Sequence, residues 1–360
     1  MSRPLGHLAL LAAVVASCGG DTPAAPTPAT PVVPRGSRVL SVAVTLPEND
    51  DFDAGVRLAR SAGMQETIFS VNWDEVEPRP GAYEAGLLAI LRAYCVAAGL
   101  PIHLTVATID TNVLRLPKDL AGRRFDDPRV GERFQGALRF VLDQLGGVRV
   151  TGLSIGNEID VYLGHDAARW AEYRAFFAST APEGRARGLR VGVKATFDGL
   201  TRNAPDELVG LNRLTDIVLV TYYPLGAALE ARDPAEVPRD LGLLVARYPG
   251  RPIAILEAGY PSSPVLGSSE ARQREFVARV FEAWDTHAAQ IETITFFALT
   301  DFSASYVEEL QRYYGFPDAR FGAFLGTLGL RRFPGAGTDK EAFRELRVQA
   351  ARRGWPTSGG

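Results

Sequence analysis

The stretch Val150-Thr151-Gly152-Leu153-Ser154-Ile155-Gly156-Asn157-Glu158 is apolar and β-rich until it stops at a carboxylate. A second stretch, Ile253-Ala254-Ile255-Leu256-Glu257-Ala258-Gly259-Tyr260-Pro261, has the same design. A carboxylate directly past such a run belongs at the rim of a sheet, because an unpaired charge in the core is costly. About three βα units of sequence separate the two glutamates, so they converge if the strands close into a barrel.

Working outward, strand-like and helix-like stretches alternate along the whole chain. The strand candidates are residues 39–45, 67–72, 102–108, 152–156, 189–195, 216–222, 252–257 and 293–299. Amphipathic stretches such as 54–62, 134–145, 167–178 and 272–288 lie between them. The strands are near-continuous Val/Ile/Leu runs, as expected of a parallel sheet covered on both faces. Eight is the number that closes, so the expected fold class is α/β, a single (β/α)8 TIM barrel over residues 37–354. Two loops are long: residues 110–131 after the third strand and 301–340 after the eighth. The second carries Tyr306, Tyr313, Tyr314, Phe316, Phe321 and Phe324. Both leave from the C-terminal face, where barrel enzymes keep their sites. The rings suit stacking on the apolar faces of sugars, or else they pack the loop onto the barrel.

At 360 residues, 46% hydrophobic and 22% charged, the chain has enough material for a large core. A formal charge of −3 gives no basis for binding nucleic acid. Residues 1–18 read as a lipoprotein-type signal peptide: Arg3, then the apolar run 8–16, then Val15-Ala16-Ser17-Cys18 as a lipobox with Cys18 lipidated. The alternative is an ordinary secretory signal with a chance cysteine. Residues 19–36, rich in Pro, Thr and Ala, read as a tether. The expected location is therefore the cell envelope, with membrane contact only through the lipid anchor, and the expected state is a monomer. Beyond Cys18 the only cysteine is Cys95, in a helical pattern, which reads as a buried structural thiol. Outside the signal segment the histidines are His103, His165 and His287, without paired metal-ligand spacing, so no metal and no cofactor are expected. Asp50, Asp51 and Asp53 read as caps of the first helix rather than a calcium loop.

Asn157 and Glu158 point to opposite faces in a regular strand, so joint use of both requires the chain to leave extended geometry, which Gly156 allows. The null alternative is an Asn that caps the next helix with Glu in its first turn. In Val220-Thr221-Tyr222-Tyr223-Pro224, two tyrosines end an apolar strand, where a hydroxyl can donate to a neighbouring carboxylate. In the third stretch Ile253, Ile255 and Glu257 share one face by alternation, extending an inward row.

Taken together, Gly156-Asn157-Glu158 after strand four, Tyr222-Tyr223-Pro224 after strand six and Glu257-Ala258-Gly259-Tyr260-Pro261 after strand seven resemble the clan of retaining (β/α)8 glycoside hydrolases. They are most similar to the endo-β-1,4-galactanase family. The ending Phe324-Leu325-Gly326-Thr327-Leu328-Gly329-Leu330-Arg331-Arg332, with Lys340 and Ala342 beyond it, is similar to the close of many clan members. The resemblance implies Glu158 as acid/base, Glu257 as nucleophile and Asn157 on the sugar 2-hydroxyl; Tyr222, Tyr223, Trp73 and Asp301 are read from the sequence itself as supporting subsite residues. The chain departs from the pattern at Asp110, where relatives carry a His motif. It also has no Arg beside Asn72 and Trp73, and no Trp on strand eight.

Such a pair works without a cofactor. Two carboxylates about 5 Å apart repel by roughly 3 kcal/mol at an effective dielectric near 20, so one keeps its proton near neutrality. The expectation is a retaining glycoside hydrolase acting on a poly- or oligosaccharide. The alternative is a non-catalytic glycan-binding surface lipoprotein on a degenerate barrel.

Overall fold

A computed structural model describes residues 32–45, 51–333 and 338–358. From Val32 onward they form one compact unit. Eight parallel strands are present: β1 Val39–Val42, β2 Thr67–Asn72, β3 Ile102–Asp110, β4 Val150–Asn157, β5 in two pieces Val191–Gly192 and Lys194–Thr196, β6 Val218–Tyr222, β7 Ile253–Ala258 and β8 Ile291–Phe296. One sheet runs β2-β3-β4 to the first piece of β5, and another runs from its second piece through β6-β7-β8 to β1. The ring joins between β1 and β2 by a parallel bridge, Ser41 to Glu66, with Gln65 N donating to Leu40 O at 2.8 Å. The expected (β/α)8 barrel is thus the observed fold.

Helix starts follow their caps. Pro128–Gln144 begins almost two turns earlier than its apolar periodicity suggests, because Asp127 accepts from Arg129 N at 2.9 Å and Pro128 takes the first position. Val130, Phe134, Ala137, Leu138 and Val141 form its buried stripe against the strands. Phe52–Ser61 is capped by Asp51, which accepts from Ala54 N at 2.9 Å; Asp50 lies outside the described residues. Cys95 is buried in Leu88–Ala98, and burial pushes its thiol up to about 11, so it is a packing residue.

Packing continues on either side of residues 37–354. The guanidinium of Arg38, itself buried, donates to the carbonyls of Val33 and Pro34 and to Asp285, and so binds residues 33–34 to the bottom of the barrel. Trp355 is buried and donates to Gln65. Cys18, the expected lipidation site, lies outside the described residues.

Candidate active site

Glu158 and Glu257 line one cleft of about 710 Å³ at the C-terminal ends of the strands. β4 ends at Asn157, and Glu158 then takes a left-handed backbone (φ 45°) as it enters the short helix Ile159–Leu163. Gly156 makes this corner possible. Its own φ is 88°, and a Cβ there would meet Ile159 Cγ2 and the Tyr173 hydroxyl, each at 2.6 Å. Among the described residues, the non-glycine positions with positive φ are Thr111, Glu158 and Leu229, and all three line the cleft. Such strain costs on the order of 1–3 kcal/mol each and tends to collect at functional sites.

Glu158 accepts from Thr221 Oγ1 at 2.6 Å and from Thr111 Oγ1 at 2.8 Å, so each carboxyl oxygen is fixed. Burial, reinforced by the charge of Glu257, pushes its carboxyl up to about 7, against the two threonine hydrogen bonds. Asp160 anchors the following helix by accepting from Thr196 N and Thr196 Oγ1 at the end of β5.

Glu257 has a different environment. Lys194 Nζ lies 2.7 Å from one carboxyl oxygen, and the Tyr223 hydroxyl donates to the other at 2.7 Å. Its route to the cleft differs from the expected alternation. Ile253 and Ile255 pack with the helices in the main core, whereas Ala254 and Leu256 belong to a small cluster with Ile217, Leu219 and Ile68. Pairing between β6 and β7 slips by one residue, from Val220–Ile255 to Thr221–Glu257. That bulge turns Glu257 toward the same side as Leu256. It also sets Thr221, which holds Glu158, directly opposite Glu257, on strands about 4.8 Å apart.

Asn157 stands beside the pair. Its Nδ2 donates to Asp110 Oδ1 at 2.7 Å, and its buried Oδ1 has no partner among the described residues. Asp110 in turn accepts from the Tyr313 hydroxyl at 2.8 Å, and Asn112 donates to Tyr314 O. The loop after β3 is thereby tied to the loop after β8 across the cleft mouth.

Three expected site residues are elsewhere. Tyr222 faces the helices, fully buried, with its hydroxyl donating to Asp240 at 3.1 Å and its ring near Phe197 and Phe276. Alternation explains the correction: Thr221 and Tyr223 share the inward side, and Tyr222 between them faces out. Trp73 is fully buried against Phe134, and its Nε1 donates to Glu77, which Arg133 neutralises. It is a core residue because the chain turns into a helix at Trp73, directly after β2. Asp301 accepts from Lys340 Nζ at 2.6 Å and Gly329 N at 2.9 Å; it fastens the β8 loop to the C-terminal segment and does not line the cleft.

Sequence reasoning missed Lys194, Thr111, Thr221 and Asp110. Lys194 carried a signal: a lysine inside the apolar run Val191-Gly192-Val193-Lys194-Ala195 must find a partner. The β8 loop holds two helices, Ala304–Tyr313 and Ala319–Leu325, and its rings line the cleft as well as packing on one another.

No sequence-family profile matches the chain, and no curated protein matches it in sequence. Solved structures do match in fold. A GH5_18 protein from Bifidobacterium longum subsp. longum, solved with Manb1-4GlcNAc, has TM-score 0.67 at 18% identity, over 89% of this chain and 80% of that one. An exo-beta-1,4-mannosidase from Opitutaceae bacterium strain TAV5 has TM-score 0.65 at 16% identity, covering 87% of this chain and 59% of that one. A family 39 glycoside hydrolase from Bacteroides cellulosilyticus WH2 has TM-score 0.61 at 14% identity, covering 89% and 65%. The fold is the barrel these glycoside hydrolases share.

Proposed function

We propose that the chain is a retaining β-glycosidase, with Glu158 as acid/base and Glu257 as nucleophile. The observation that carries this is the contrast between two carboxyls in one cleft. Glu158 is half-buried and holds its proton to about neutral pH, whereas Glu257 is held by an ammonium and a hydroxyl. In the first step the Glu257 carboxylate attacks the anomeric carbon, and Glu158 gives its proton to the departing oxygen. Once Glu257 is an ester its charge no longer acts on Glu158, whose proton affinity falls. Glu158 then takes a proton from water as water attacks the ester. Asn157 Oδ1, without a partner among the described residues, is placed to accept a sugar hydroxyl.

The finer points belong to the same proposal. The motif resemblance to endo-β-1,4-galactanases puts β-galactan among the substrates to test. The fold neighbours solved with Manb1-4GlcNAc add that disaccharide and β-mannans. Export and lipidation at Cys18 complete the reading. Mass analysis of the mature N-terminus checks them, and an unprocessed Met1 would reject both.

The deciding experiment incubates the full chain with β-galactan, β-mannan, β-glucan, xylan and Manb1-4GlcNAc, and follows new reducing ends by chemical assay and their anomeric form by NMR. Release of the β-anomer first, lost in Glu257→Ala and Glu158→Gln, is expected. The Glu257→Ala loss should reach about 10⁴-fold in kcat with the unfolding transition unchanged. Undiminished turnover in Glu257→Ala, or initial release of the α-anomer, overturns the assignment. Binding without release on any glycan points to the non-catalytic binder.

A further inference from the structure

The cleft lining contains two unlike sets of residues. One is polar: Asp110, Asn112, Asn157 and Lys194, with the two glutamates. The other is a connected set of aromatic rings that begins at the residue holding the nucleophile. Tyr223, whose hydroxyl holds Glu257, meets Phe324 edge-on at 5.4 Å and Phe297 edge-on at 6.2 Å. From Phe324 the rings continue through Phe321 to Phe316, and from Phe297 through Phe302 to Tyr306. Both rows end at the rim, where Phe316 is 48% and Tyr306 44% exposed. The helix Ala304–Tyr313, which supplies Tyr306 and Leu310 to this lining, has no fully buried residue of its own.

A continuous apolar surface of this kind, left half-exposed beside a polar constellation, marks a ligand site. The rings also say which ligand. All but one of the ring contacts in these rows are edge-to-face, with interplanar angles from 66° to 90°. Only Phe321 and Phe324 are stacked. Such an array offers a corrugated trough rather than the open flat platforms on which successive sugar rings stack. Sugar hydroxyls laid along it would lose water and find few partners. An alkyl chain or aryl group fits without that cost.

We infer that the natural substrate is a β-glycoside of an apolar alcohol, whose sugar sits against Asp110 and Asn157 and whose aglycone lies along the aromatic rings. The inference rests on the glycosidase reading and narrows its substrate class. Leu229, Val161 and Phe324 line the cleft that holds Glu158 and also an adjoining cleft of about 540 Å³. Chemically the step is the proposed hydrolysis: the bond between C1 and the alcohol oxygen breaks, Glu158 supplies the proton to that oxygen, and water supplies hydroxide to C1.

The test compares methyl and n-octyl β-D-mannosides and β-D-glucosides, kept below micellar concentration, on the full chain. Their leaving alcohols have similar acidity, so a difference reports binding of the chain rather than bond reactivity. The inference expects kcat/KM about tenfold or more higher for the octyl member of whichever pair is cleaved. It also expects that ratio to shrink in Phe316→Ser and Leu310→Asn. A ratio near one, with mannan or another oligosaccharide cleaved faster, overturns it while leaving the glycosidase intact. Calorimetric binding of the octyl glycosides without turnover of them, of the polysaccharides or of Manb1-4GlcNAc keeps the apolar site and rejects the glycosidase. Neither binding nor turnover of the alkyl glycosides, with release from one of the polysaccharides or Manb1-4GlcNAc, rejects the apolar aglycone alone; silence on all of them rejects both.

Discussion

Replacing Glu158 by Gln should make the protein more stable in mildly alkaline buffer while stopping its chemistry. In the folded state, burial and the neighbouring Glu257 raise this carboxyl from 4.5 to about 7. The sign follows from linkage: a raised carboxyl favours the folded state below its unfolded value, and that contribution is lost as pH climbs through about 7. At 1.36 kcal/mol per pH unit, the interval from 4.5 to about 7 amounts to about 3 kcal/mol, spent by pH 8 on ionising a half-buried carboxyl beside Glu257. Gln has the same shape, can still accept from one threonine and donate to the other, and carries no charge. Urea unfolding of both proteins at pH 4.5 and at pH 8 measures the difference. The variant should gain about 3 kcal/mol relative to wild type between the two conditions. A gap that is the same at both pH values would refute the claim that burial dominates at Glu158. The same titration sets the kinetics: kcat/KM of the wild type should fall above about pH 7, as the proton donor is lost.

Lys194→Met removes one of two donors to Glu257, a charge-assisted bond of about 1.5–3 kcal/mol, so kcat/KM should drop about 10- to 100-fold in steady-state assays. The adjacent tyrosines should separate cleanly. Tyr223→Phe should lower kcat/KM about tenfold or more, whereas Tyr222→Phe should leave it within about twofold and lower stability by about 1 kcal/mol on urea unfolding. Asp301→Ala strands the buried Lys340 ammonium and should cost about 3 kcal/mol in the same assay, far more than a surface ion pair would.

The barrel was legible because its strands are covered on both faces, which leaves uninterrupted apolar runs at regular spacing. Val39, Thr67, Ile102, Val218 and Ile253 all fall at or within two residues of the expected strand starts. The glutamates and Asn157 were legible because a polar residue at the end of such a run has one place to go. What was not legible depends on which side a residue faces. Tyr222 and Tyr223 differ by one position, and only the inward row through Thr221 tells them apart. Glu257 sits past a bulge, and alternation counted without it puts Ile253 and Ile255 on the wrong face. Trp73 and Asp301 lie past strand ends, where the chain turns and no period holds. Lys194 is the most instructive omission: its charge was visible in the strand, but its partner lies 63 residues away on β7.

Both ends of the described domain leave from the same side. Val33 donates to Asp285 in the last turn of Glu270–Thr286, and Arg353 binds the same carboxylate just before Trp355 closes over Gln65. That side is the floor of the barrel, and the cleft opens at its ceiling. Immobilising the protein through either described end therefore attaches it by the barrel's floor and should leave the mouth of the cleft open, like a cup set on its base.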